Sequence, residues 1–234
     1  VLRRVASETL GTAFLLMAVV GSGIMGERLA LGNVAVALLA NAVATGAMLT
    51  VLILTFGPVS GAHLNPVVTL AAASEGIIPW LEVPGYIAGQ IVGAFTGVAS
   101  AHLMFGLPLF FGSRHARSGP AQLWSEVVAT CGLLLAIAGC SRSRPASVPW
   151  VVGAYIVAAY WFTASTSFAN PAVTLARAAS DTFSGIRPVD VPGFVAAQAV
   201  GAVVAVVISR WLFSGPKSAS ASRIELERID AASL

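Results

Sequence analysis

The sequence predicts an all-α membrane protein, with six transmembrane helices and two re-entrant half-helices arranged as an inverted repeat. Three observations carry that prediction. Hydrophobic residues make up 57% of the 234 and charged residues only 10%, against about 25% charged in soluble domains. Six apolar stretches each reach the ~20 residues that a membrane-crossing helix needs. The second half of the chain also repeats the first.

The six spans fall at about 6–25, 33–56, 83–105, 121–140, 148–168 and 191–213. The first begins just after Arg3 and Arg4 and runs on with no small-residue cleavage site, so it reads as a span and not a removable leader. Two shorter apolar stretches begin at Asn65 and Asn170 and stop at Glu75 and Asp181. Each is about ten residues, half a bilayer at ~1.5 Å per residue. By length alone they read either as surface-lying amphipathic helices or as half-helices entering from opposite sides.

The repeat decides between the two. Glu82-Val83-Pro84-Gly85-Tyr86-Ile87-Ala88-Gly89-Gln90 returns as Asp190-Val191-Pro192-Gly193-Phe194-Val195-Ala196-Ala197-Gln198, and Asn65-Pro66-Val67-Val68-Thr69-Leu70-Ala71 as Asn170-Pro171-Ala172-Val173-Thr174-Leu175-Ala176. Glu8 with Thr12 matches Glu126 with Thr130 more weakly. Each copy holds three full spans and one half-span. Three is odd, so the second copy enters the membrane from the opposite face. The two Asn-Pro starts are then expected to meet near the midplane. One domain, 1–214 (repeats about 6–106 and 121–214), is expected, followed by a polar cytoplasmic tail, 215–234.

With both ends cytoplasmic, the inner side holds Arg3, Arg4, Arg142, Arg144, Arg210, Lys217, Arg223 and Arg228, and the outer side Arg28, Arg114, Arg117, Arg177 and Arg187. That bias follows the positive-inside rule. The net charge of +3 is scattered over span ends and does not suggest nucleic acid. Membrane lipid is the expected surrounding, with Trp80, Trp150 and Trp211 as interfacial anchors.

Asn is a strong N-cap and Pro is favoured at the first helical position. One Asn-Pro is also a common turn, but two in matching repeats, each opening a half-span, point to a shared role. A helix N-terminus carries roughly +0.5 elementary charge. Two such ends meeting at the midplane oppose cations and protons. The Asn65 and Asn170 amides are expected to offer donors to the lumen, and loops 60–64 and 165–169 to line it with carbonyls, since irregular backbone at that depth must face water or protein.

The two Asn-Pro boxes, Ser60-Gly61-Ala62-His63 before the first, Glu8 and Glu126 at helix starts, and the repeated Gln90 and Gln198 together resemble the aquaporin (major intrinsic protein) family over about 6–213. The resemblance implies an aquaporin-like fold, passive flow of water and small uncharged solutes, a homotetramer with one pore per chain, and a bacterial inner (plasma) membrane location. The half-helix barrier is an established property of aquaporin-type pores. Asn65, Pro66, Val67, Asn170, Pro171 and Ala172 correspond to the family's paired boxes; the first has Val where Ala is usual.

The filter departs from the family pattern. Where an Arg usually follows the second box, this chain has Val173. Counting back from the two Asn residues places the other filter positions at Thr45, Ala158 and Ser167. Such a set is wider and less charged than an aromatic/His/Arg one, and it resembles a bacterial branch linked to arsenical permeation. A water-selective channel is the alternative.

Arg177, one turn past Val173, is expected to snorkel to the outer surface or pair with Asp181 rather than re-enter the pore mouth. The family implies that Glu8 and Glu126 support the re-entrant loops. His63 is expected to line the cytoplasmic half-pore or to make a structural hydrogen bond. Gly85, Gly89, Gly93 and Gly97 on the third span, with Gly193 and Gly201 on the sixth, permit close helix packing. Cys131 and Cys140 fit no zinc spacing and are expected buried among helices. No metal or cofactor is expected, and no nucleophile–base pair suggests an enzyme. A secondary transporter also uses inverted repeats with broken helices, but coupling carboxylates are expected at its midplane, where this chain has Asn.

Overall fold

The structure is a computed structural model. It describes residues 1–213; the expected tail lies outside the described residues. The named elements are helical, in the order α1 (Leu2–Leu29), α2 (Val34–Ser60), α3 (Pro66–Ser74), α4 (Val83–Met104), α5 (Pro120–Ser143), α6 (Val148–Phe162), α7 (Pro171–Arg177) and α8 (Val191–Leu212). Among the described residues six helical stretches are long and apolar enough to cross a membrane. The remaining two, α3 and α7, have nine and seven residues. All the expected spans are present, with one altered boundary. The fifth was expected to run to 168, but α6 ends at Phe162, and residues 163–169 form irregular chain leading to Asn170.

Contacts follow the duplication. In the first repeat α1 packs on α2 and α4; in the second α5 packs on α6 and α8. The repeats join where α2 crosses α6, where α3 meets α8 and α7 meets α4, and where α3 meets α7. Glycine sets the closest approach. A Cβ on Gly93 or Gly97 would strike the α1 carbonyl oxygens of Thr9 or Ala13. On α8, one at Gly201 would sit 2.5 Å from the Val127 carbonyl. The α2–α6 crossing has its own pair, unforeseen in the sequence. A Cβ on Gly46 would lie 2.6 Å from the Gly153 oxygen, and one on Gly153 would lie 2.6 Å from the Gly46 oxygen.

The outer surface of the bundle is apolar. Leu10, Phe14, Leu39, Val43, Val51, Leu54, Val92, Val200, Val203 and Val207 are all exposed, as lipid-facing side chains are in a bilayer. Trp80, Trp150 and Trp211 are exposed near helix ends, joined by Trp124. Cys131 and Cys140 are half-buried, less enclosed than expected.

Charge collects at the two ends. At one end Glu75 accepts from Arg142 at 3.2 Å and Arg210 at 2.9 Å, and Glu82 pairs with Arg4 at 2.9 Å. At the other end Arg187 pairs with Asp190 at 2.9 Å. Two of the five basic residues assigned to the outer side are not surface groups at all: Arg117 is 7% exposed and Arg177 2%.

Candidate functional site: a channel built on two facing half-helices

Each half-helix is capped by its own Asn. Asn65 Oδ1 accepts from Val67 N at 3.1 Å; Asn170 Oδ1 accepts from Ala172 N at 3.0 Å and Val173 N at 3.3 Å. Pro66 and Pro171 occupy the first helical turn, where a missing N–H costs nothing. The amide nitrogens reach across the repeat: Asn65 Nδ2 donates to the Ala169 carbonyl at 2.7 Å, and Asn170 Nδ2 to the Leu64 carbonyl at 2.8 Å. Each amide nitrogen carries a second N–H, and both Asn residues border a common cavity.

The loops that deliver these caps are strained in matching places. Ala62 and Leu64 stand three and one residues before Asn65, and Ser167 and Ala169 stand three and one before Asn170; all four have φ between 46° and 50°. Non-glycine residues rarely adopt such φ, and each costs of order 1–3 kcal/mol unless its surroundings enforce it. Two buried carboxylates do the enforcing. Glu8 Oε1 accepts from Ser60 Oγ at 2.6 Å and His63 N at 2.9 Å; its Oε2 accepts from Leu64 N at 2.6 Å and Gln90 Nε2 at 2.7 Å. Glu126 accepts from Phe168 N and Ala169 N, both at 2.9 Å, and from Gln198 Nε2 at 2.6 Å. Each Gln also donates to a Thr of the half-helix, Gln90 to Thr69 at 2.9 Å and Gln198 to Thr174 at 2.8 Å. These Glu–Gln–Thr sets occupy equivalent positions in the two repeats. The Gln and Thr roles were not read from the sequence, although a Gln repeated inside an apolar span was the available signal.

The cavity has a volume of about 600 Å³. Glu75 and Arg142 border it at the end where the salt bridges gather, Asn65 and Asn170 border it midway, and Thr45, Ser167, Val173 and Arg177 border it toward the other end. His63 also lines it, half-buried, with Nδ1 3.2 Å from Thr69 Oγ1. Ser167 Oγ is buried without a protein partner.

Ala158 is a correction. The α6 face toward the cavity carries Val152, Ile156 and Tyr160, spaced four apart as residues on one helical face are. Ala158 lies about half a turn away and is exposed. Tyr160 holds the inward place, its hydroxyl donating to Thr45 Oγ1 at 3.3 Å. Counting back from Asn170 fails because the strained loop after Phe162 sets the distance to the helix.

Arg177 is a second correction. It neither snorkels outward nor pairs with Asp181, whose carboxylate accepts from Arg114 N. Its Nε donates to the Ser184 carbonyl, and its guanidinium lies 3.4 Å from the Phe168 ring centroid. Arg117 approaches the same ring at 4.9 Å. Its nitrogens donate to the carbonyls of Gly185, Ser165 and Phe183 and to Thr166 Oγ1. Burial pushes the Arg117 pKa down to about 10, against smaller upward pulls from Tyr160 and Glu126, so it stays charged at neutral pH. A smaller cavity of about 160 Å³, bordered by Asn41, His115, Arg117, Thr166, Phe183 and Arg177, lies beyond the main one.

Six spanning helices enclosing two abutting half-helices and a cavity bordered by their caps define a passive membrane channel for water and small neutral solutes. The comparisons with known proteins agree. The profile described as Major intrinsic protein matches residues 1–146. The chain is 54% identical over 210 residues to the protein named Aquaglyceroporin AqpS of Rhizobium meliloti (strain 1021), covering 90% of each. It is 33% identical over 183 residues to Aquaporin NIP1-3 of Oryza sativa subsp. japonica, covering 75% of this chain and 63% of that one. In fold it resembles the X-ray structure of the aquaglyceroporin from Plasmodium falciparum, with a TM-score of 0.70 at 23% identity over 90% of this chain and 94% of the other. This chain belongs to the major intrinsic protein family.

Proposed function

We propose that this protein is a wide-filter channel that passes glycerol-sized neutral solutes as well as water, by diffusion down their gradients. Residues 1–214 form the channel domain. Asn65-Pro66-Val67 and Asn170-Pro171-Ala172 form the midplane barrier to ions, and Thr45, Ser167 and Val173 line the filter. His63 contributes to the inner half-pore, while Glu8 and Glu126 hold the loops. The chain works as a homotetramer with one pore per chain, in the plasma membrane with both termini cytoplasmic, and is no enzyme.

One observation carries the width: a valine stands directly after the second Asn-Pro-Ala, on the cavity wall. Valine is shorter than arginine and neutral, so the wall there is set back from the path. The similarity to a protein named an aquaglyceroporin supports the same solute size. Trivalent arsenite, a neutral hydroxide in water at neutral pH, matches glycerol in kind and is a further expected solute.

The test is stopped-flow light scattering on proteoliposomes with water, glycerol and arsenite in parallel. The reading requires all three to pass faster than in empty vesicles. Flux of water alone would make this a water-selective channel.

A further inference from the structure

We propose that Arg177 is the selectivity arginine of this pore, supplying from one turn further along α7 the charge and N–H donors that Val173 lacks. This rests on the channel reading above. Val173 and Arg177 are i and i+4 on α7, hence on one face, and both border the main cavity. Arg177 also borders the smaller cavity beyond, so it stands on the wall the two share.

An arginine 2% exposed within a membrane protein is expensive and by default functional. Its surroundings separate a pore role from that of a strut. Neighbouring Arg117 donates to four protein acceptors and is tied off as a cross-brace. Arg177 has a protein acceptor only for Nε, the Ser184 carbonyl, among the described residues. No salt bridge to a carboxylate neutralises it there. Its two terminal nitrogens therefore keep their N–H groups for whatever occupies the cavity it borders.

The guanidinium is also aimed. Its Cζ lies 3.4 Å from the Phe168 ring centroid, and Phe168 is fixed in turn by its backbone N–H on Glu126. The result is a charged donor group with a set position on the cavity wall. A hydroxylated neutral solute fits such a donor group, accepting from Arg177 through a hydroxyl oxygen. A cation meets unscreened positive charge. Moving the guanidinium one turn, ~6 Å, leaves the Val173 level open, so width and charge selection are divided between two levels of one helix.

The test uses full-length protein in proteoliposomes, comparing wild type, Arg177→Met, Arg177→Lys and the double variant Arg177→Met/Val173→Arg. Water flux, glycerol flux and sodium leak are each measured. Arg177→Met is expected to keep water flux within about twofold, lose glycerol flux relative to water and raise sodium leak by about tenfold. Arg177→Lys is expected to stay sodium-tight. The double variant is expected to become sodium-tight again, because the charge has been returned to the pore one turn earlier.

A merely structural arginine gives another pattern: Arg177→Met folds, stays sodium-tight and keeps its glycerol-to-water ratio, which overturns the assignment alone. A folded double variant that leaks sodium overturns it too. If Arg177→Met does not fold, a folded, sodium-tight double variant still supports the assignment, and failure of both makes Arg177 a strut and sinks it. Absence of any wild-type flux above empty vesicles overturns the channel reading itself, and this assignment with it.

Discussion

Asn65 and Asn170 are cross-linked through each other's loops: each side-chain amide donates to the carbonyl immediately preceding the other, at 2.7 and 2.8 Å. Neither cap can move alone. This reciprocal contact fixes two positive helix ends against each other inside the bundle, and it makes the two repeats one mechanical unit at the point where they meet.

The carboxylates behind those loops set the first prediction. Glu8→Gln and Glu126→Gln each replace an acceptor that takes up several donors with an amide that presents N–H groups to them. Each hydrogen bond to a charged group is worth about 1.5–3 kcal/mol, and the strained residues at 62, 64, 167 and 169 lose their restraint. Both variants are expected to melt well below wild type in detergent and to lose most water flux. A variant with wild-type melting and flux would show that the loops hold themselves.

Filter width sets the second. Val173→Arg introduces a long cation at the level the wild-type chain leaves open. Glycerol and arsenite flux are expected to fall more than water flux in stopped-flow traces. Equal loss of all three, or no loss, would contradict a wide filter at this level.

Helix packing gives the third. Gly46→Ala pushes a methyl against the Gly153 carbonyl, with backbone as the obstacle, and is expected to cost about 1–3 kcal/mol. Gly57 lies on the same helix with nothing within 4 Å of its would-be Cβ. Gly57→Ala is expected to be neutral or to stabilise by about 0.5–1 kcal/mol through helix propensity. Fluorescence melts of the two variants read the contrast directly.

The fourth concerns pH. Burial lowers the pKa of His115, the nearby Arg117 and Arg177 lower it further, and Asp181 pulls the other way. A histidine whose folded pKa lies below its unfolded value binds fewer protons when folded. Stability is then full above the ordinary value of about 6.5 and declines as pH drops below it. Melting temperature is expected to fall between pH 7 and pH 5 by less in His115→Gln than in wild type. Identical pH profiles would remove His115 from the account.

What could be read from the sequence, and what could not, divides on a physical line. The Asn-Pro boxes, the spans and the duplication were legible because lipid imposes length and apolarity, and because a helix start has a chemical signature that the repeat doubles. The end of α6 was not. Thr163 to Ala169 carries no charge, glycine or proline to mark a helix end, and the backbone bonds of Phe168 and Ala169 to Glu126 show that the chain has left the helix. The misplaced Ala158 follows from that hidden boundary. Arg177 was misread for a related reason: an arginine near a helix end usually reaches water, and nothing local announces the Phe168 ring and Ser184 carbonyl that hold this one inside. Gly46 and Gly153 are isolated glycines 107 positions apart, and only the crossing of α2 and α6 makes them a pair.

The most direct test of a pore held at its centre by two facing helix ends is the form of its flux. In proteoliposomes carrying an internal pH dye, glycerol uptake should rise linearly with the imposed glycerol gradient, show no response to sodium or proton gradients, and leave the internal pH unchanged. Saturating uptake that follows an ion gradient, or proton entry in step with glycerol, would contradict the account.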